Sequence, residues 1–174
     1  MQAKLITAAA ILVLAPLALG PGAAEAAPNL SGTYVRDNAQ SSPAPAPPLY
    51  WIVRAPPAQP GNGRGPAVSI ELQQAPGALK VTLPGPLERT YKLDGRPHPM
   101  PAETGILPPT ATASEGPDSI VVVTTQPYSG MPGSVTLKTT DTWTLSPDRK
   151  VLTLTTVLES PARTETFKAV YNRQ

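Results

Sequence analysis

The sequence predicts an all-β fold: an antiparallel meander closed or curled into a β-barrel, with Pro-rich loops. Three observations predict it. Proline makes up 24 of 174 residues, and it fixes φ and lacks an N–H, so it does not fit helix interiors or central strands. Thr and Val are frequent, and both favour strands. Beyond the N-terminal stretch no amphipathic helix of useful length can be traced. Short segments of alternating polarity recur instead, each closed by a Pro, Gly, Asp or Asn turn.

The N-terminal stretch is of a different kind. Lys4 supplies a positive start, Leu5 to Leu19 is an apolar run, and Ala24-Glu25-Ala26 is a small-x-small site. Together they read as a secretory signal peptide over residues 1–26, cleaved on maturation. Pro16 interrupts the run, which is shorter than the roughly 20 residues a bilayer span needs. No later stretch is apolar enough to span, so no membrane span is expected after cleavage. Residues 27–174 then form a single barrel domain, periplasmic or secreted, with a Pro-rich insertion at about 41–66.

The chain has no cysteine, which excludes disulfides, thiol catalysis, zinc–thiolate sites and a lipid anchor on Cys. Stability must come from a core. A net charge of +2 without Lys/Arg clusters argues against nucleic acid as a partner.

The segments follow in order. Leu30 to Arg36 is the first strand. Ser41 to Pro48 and Ala55 to Pro66 are low in complexity and read as polyproline II or loop. Between them lies an apolar island, Leu49 to Arg54. Val68, Ile70 and Leu72 alternate with polar residues, turn at Ala75-Pro76-Gly77-Ala78, and return as Leu79, Val81 and Leu83, which is a hairpin with one face inward. Glu88 to Leu93 is a strand ended by Asp94-Gly95. Pro97 to Pro109 reads as a connection, Ser119 to Thr125 as a β-branched strand, and Pro127 to Gly133 as a turn region.

The C-terminal part alternates most clearly. Val135, Leu137, Trp143 and Leu145 share one side and Thr136, Lys138, Thr140, Thr142 and Thr144 the other. Ser146-Pro147-Asp148-Arg149 places Pro second in a type I turn. Leu152, Leu154 and Leu158 continue, and Arg163 to Tyr171 closes the meander with Phe167, Ala169 and Tyr171 in phase. Roughly eight or nine such strands must curl or fold into two layers to hide their edges. A membrane barrel does not fit, because the outward positions are Thr, Lys, Ser and Gln and aromatic girdles are missing.

Several short runs carry a resemblance. They are Asn29-Leu30-Ser31-Gly32-Thr33-Tyr34, Tyr91-Lys92-Leu93-Asp94-Gly95, Asp141-Thr142-Trp143-Thr144-Leu145-Ser146-Pro147-Asp148 with Leu152-Thr153-Leu154, and Val170-Tyr171-Asn172-Arg173-Gln174. The chain resembles the lipocalin-like family of small exported bacterial β-barrel proteins of uncharacterised function. The resemblance implies a lipocalin-like barrel and carries no reaction or ligand. Two departures stand out: Arg149 occupies the usual turn Gly, and the Ser41 to Pro66 insertion is long.

Candidate functional residues are few. His98 is the single His and reads as a solvated loop residue. No Gly-x-Ser-x-Gly elbow is present, so no catalytic residues are assigned and no enzyme is expected. Strict alternation points Asp141 inward, where Arg163 in phase on the last strand could pair with it. A bulge near Thr140 that turns Asp141 outward is the commoner outcome at such a phase break. Trp51, in the apolar island, reads as a buried plug or as a contact strip. Tyr91, Trp143 and Phe167 complete the candidate ligand-binding set and are also core positions.

The function read from these features is a non-catalytic exported binding protein. It would be a monomer holding a small apolar or amphipathic ligand inside the barrel, without cofactor or metal. The alternative is an interaction or inhibitor module that meets an envelope protein through the Pro-rich insertion and the Leu49 to Val53 strip.

Overall fold

The structure is a computed structural model, and it describes residues 28–42, 69–83, 88–101, 107–131 and 133–174. The predicted signal peptide, the apolar island and most of the insertion lie outside these residues. Ten strands form one antiparallel sheet: β1 (Gly32–Asp37), β2 (Ser69–Ala75), β3 (Ala78–Thr82), β4 (Glu88–Lys92), β5 (Asp94–Pro99), β6 (Thr110–Glu115), β7 (Ser119–Met131), β8 (Gly133–Leu145), β9 (Val151–Glu159) and β10 (Thr164–Arg173). Their order is β4-β3-β2-β1-β10-β9-β8-β7-β6-β5. The sheet is a nearly closed barrel, all-β as the sequence predicts, and no helix occurs among the described residues.

The predicted hairpin forms in the expected phase. Ile70 and Leu72 of β2 and Leu79 and Val81 of β3 are all buried, and their polar neighbours turn outward. The meander from β7 to β10 pairs continuously, with Ile120, Trp143, Leu154 and Ala169 side by side across four strands. Opposed residues share a face, so these rows define the interior. Two strands escape the sequence reading. The strand from Glu88 ends before Asp94-Gly95 as expected, but these residues also open a further strand, β5, and residues 110–115 form β6. The expected Pro127 to Gly133 turn region is instead largely strand.

Closure depends on the two ends of the sequence. Tyr34 pairs with Arg173 and Asp37 with Val170. The Arg173 guanidinium lies 5.8 Å from the centre of the Tyr34 ring and donates to the carbonyls of Ser31 and Arg149. Gly32 makes this approach possible: a Cβ there would meet the guanidinium at 3.0 Å, and its φ of +152° disfavours other residues. The buried Tyr34 hydroxyl donates to Leu30 O at 2.8 Å. Beyond Asp37 the chain turns out and returns. Ser42 N–H then donates to Lys168 O at 2.7 Å, and Ser41 Oγ accepts from Val170 N–H at 2.9 Å. The first residues of the predicted insertion therefore extend the β1–β10 contact.

One end of the barrel holds most of the packed core: Leu30, Tyr34, Leu72, Leu79, Ile120, Trp143, Leu152 and Tyr171. Toward the other end the inward positions become polar, with Arg36, Thr124, Thr139, Asp141, Thr156 and Glu165.

The β8–β9 turn holds a non-glycine residue in a conformation that favours glycine. Arg149 N–H donates to Ser146 O at 2.8 Å, and Arg149 has φ 58°, the left-handed conformation a glycine would take. That conformation costs an L-residue about 1–2 kcal/mol, against about 0.5–1 kcal/mol of chain entropy for glycine. Arg149→Gly should therefore raise stability by about 0.5–1 kcal/mol, measured as a higher urea midpoint at unchanged slope.

Three carboxylates cap turns. The Gln40 side chain above all holds Asp37 below its usual 3.8. The Arg96 amide, then His98, does so for Asp94, and the Ser146 hydroxyl does so for Asp148. A lowered folded-state value contributes stability above the ordinary value and loses it as pH falls through the lower one. Stability from these groups should thus be flat above the ordinary 3.8 and decline below it. Urea midpoints taken down the acid range test this, and a decline that begins near neutrality would contradict it.

Candidate functional site

The gap in the barrel is built by backbone chemistry. β4 and β5 are consecutive, joined through Leu93, yet share no ladder. Leu93 N–H donates to Gly77 O at 2.8 Å, so alternation turns the backbone groups of Tyr91 toward β3 and those of Thr90 and Lys92 into the gap. On the facing side, Met100 N–H donates to Pro109 O at 2.8 Å. Alternation then directs His98 toward β6 and Pro97 and Pro99 into the gap. Neither proline has an N–H to offer. At these positions β5 presents carbonyls but no N–H to β4, so the reciprocal bonds of an antiparallel ladder cannot form.

The seam forms a partly open cavity of about 230 Å³. β4 contributes Thr90, Tyr91 and Lys92, β5 and its end contribute His98, Pro99 and Met100, and β6 contributes Ala111 and Ala113. The alanines are buried and face inward opposite Thr124 and Val122. Their small side chains leave the space that leucines fill elsewhere in the core. Tyr91 and Met100 give further apolar wall, while Thr90, Lys92 and His98 make the rim polar.

His98 is not a solvated loop residue. It lies in β5, half-buried, because a bulge between Asp94 and Pro97 with Gly95 at φ 69° folds the strand back on itself. His98 Nε2 sits 3.0 and 2.9 Å from the two oxygens of Asp94. The same carboxylate accepts from Arg96 N–H at 3.0 Å.

Asp141 occupies a second polar position, inside the barrel wall. The bulge expected near Thr140 is absent, since β8 stays in register with both neighbours from Lys138 to Thr144. Asp141 is 5% exposed and accepts from Thr156 Oγ1 at 2.5 Å. Phe167 lies opposite Thr156 in the next strand. Arg163 is exposed, and its Nε pairs with Glu165 Oε1 at 3.2 Å. Trp143 is core, and its buried Nε1 has no hydrogen-bond partner. Of the sequence candidates, Tyr91 alone lines the cavity, Asp141 and Phe167 neighbour each other across β9, and Trp51 lies outside the described residues.

Sequence reasoning missed Thr90, Met100, Ala111 and Ala113. A signal existed for β5: prolines at alternate positions 97 and 99 fit an edge strand. Among the described residues no group of three or more His, Asp or Glu side chains could hold a metal, and no helix is long and apolar enough to cross a membrane. No family model, curated protein or solved structure matches this chain.

The Asp141–Thr156 bond generates a test. A hydrogen bond to a charged group contributes about 1.5–3 kcal/mol. Thr156→Val keeps the shape and removes the donor, and it should lower the unfolding free energy by about that amount in urea titration. A change near zero would mean that Asp141 is held by its surroundings without the hydroxyl.

Proposed function

We propose that this is a non-catalytic exported binding protein that holds one small apolar or amphipathic molecule, and that the seam cavity is its site. One observation carries the reading: a cavity with an apolar floor opens onto backbone groups of Thr90 and Lys92 that no strand partners. Pockets that hold small molecules combine an apolar lining with a few placed polar groups in this way. The resemblance to lipocalin-like exported proteins and the leader-like residues 1–26 support the same reading.

Volume narrows the ligand. About 230 Å³ falls below the roughly 300–1,000 Å³ of ordinary ligand pockets and above the roughly 150 Å³ that holds benzene. The molecule is then of the size of one substituted ring or a short branched chain. Among the described residues Leu107 is the one large apolar side chain left exposed, so the described surface offers no aromatic strip for a protein partner.

Native mass spectrometry of the protein recovered from its own source tests this. A discrete added mass in the range of a small metabolite, lost on denaturation, is the expected result. Ala113→Leu should remove that mass by filling the cavity, with about 1–3 kcal/mol of overpacking strain; Ala111→Val is the milder variant if the first does not fold. An added mass that survives both substitutions would place the ligand elsewhere.

A further inference from the structure

The cavity is asymmetric in hydrogen-bonding chemistry. Pro97 and Pro99 remove the donors of one wall, while the carbonyls of Thr90, Lys92, Pro97 and Pro99 remain toward the gap. Among the backbone groups of the seam, acceptors therefore outnumber donors. His98 adds one more. An ionised carboxylate only accepts, so the proton shared with Asp94 sits on Nε2. The bond made by one ring nitrogen sets the state of the other, and a neutral His98 then presents Nδ1 as a lone-pair acceptor. Asp94 is held ionised by the Arg96 amide and by His98 itself. Among the described residues Nδ1 has no hydrogen-bond partner, and His98 lines the cavity.

We infer that the seam cavity selects a neutral, ring-sized molecule bearing a hydroxyl or amide N–H donor, with that donor bonded to His98 Nδ1 and the apolar body on Tyr91, Met100, Ala111 and Ala113. This rests on the seam being the ligand site. A ligand cation is disfavoured by the positive charge of Lys92, which borders the cavity. A carboxylate could meet Lys92 but would face the His98 lone pair. Asp94 is a positioning residue: it acts on the ligand only through the tautomer of His98.

The chain has a single His, so its ring nitrogen signals are unambiguous in proton–nitrogen correlation spectra. The experiment titrates benzyl alcohol, toluene and benzoate into the full chain and follows amide shifts of the cavity residues. Benzyl alcohol should bind about threefold to tenfold more tightly than toluene, the value of one net hydrogen bond. The His98 spectrum should report the Nε2–H form, with Nδ1 shifting when the alcohol binds. His98→Phe should retain toluene and lose the preference. Asp94→Asn, whose amide donates to Nε2, should move the ring proton to Nδ1 and reduce the preference. Equal binding of alcohol and toluene, tighter binding of benzoate than of alcohol, or an Nδ1–H tautomer in the unaltered protein each overturns the inference and leaves the cavity reading standing. If none of the three probes shifts the cavity amides, the cavity reading itself fails and the inference falls with it.

Discussion

The pairing of the first strand with the last is the constraint on which the rest depends. Eight of the nine ladders join sequence neighbours. The ninth, β1 with β10, turns two runs of sequential hairpins into one curved sheet with an inside. The region around it is correspondingly reinforced. Arg173 reaches back to the carbonyls of Ser31 and Arg149 and covers Tyr34, and Ser41 and Ser42 carry the contact past the end of β1. The largest fully buried side chains, Tyr34 and Tyr171, belong to these two strands. Burial of aromatic area is the dominant favourable term, so the strongest packing stands where the chain ends meet.

The seam is the counterpart of that closure. A barrel that closed at β4 and β5 as well would have no free edge and little space. Two prolines prevent it by withholding N–H groups, and two alanines prevent the hollow from filling. Neither effect needs a specialised residue. The edge is also guarded by the same means, because a strand that offers few donors is a poor template for pairing with another chain. The bulge at Asp94 bends β5 and brings His98 over the opening.

The legible parts of this fold are those where one face is buried and the other is wet. Ser69 to Thr82 and Val135 to Tyr171 alternate because large apolar side chains face a core, and the structure forms strands there. β6 was invisible because its inward residues are Ala111 and Ala113, whose small size carries almost no periodic signal; the hollowness that makes the cavity is what hides the strand. In the sequence β5 reads as a turn and a loop because Asp94-Gly95 and the alternate prolines are turn residues by composition, and a bulge uses the same residues as a turn. At Asp141 alternation points inward, but an inward carboxylate without a partner is harder to accommodate than a bulge. The Thr156 hydroxyl across the strand removes that difficulty, and cross-strand partners are not readable from one segment alone.

The β1–β10 ladder also sets the order in which the structure can be completed. All other pairings become possible as each new hairpin is synthesised, but β1 gains its second neighbour only when Thr164 to Arg173 exists. Until then one side of β1 is an open row of peptide groups. Loop-closure entropy grows only logarithmically with chain length, so the final step is not prohibitive in energy; it is late in time. A chain cut short before Thr164 would retain most of its hairpins and still expose that edge to its neighbours.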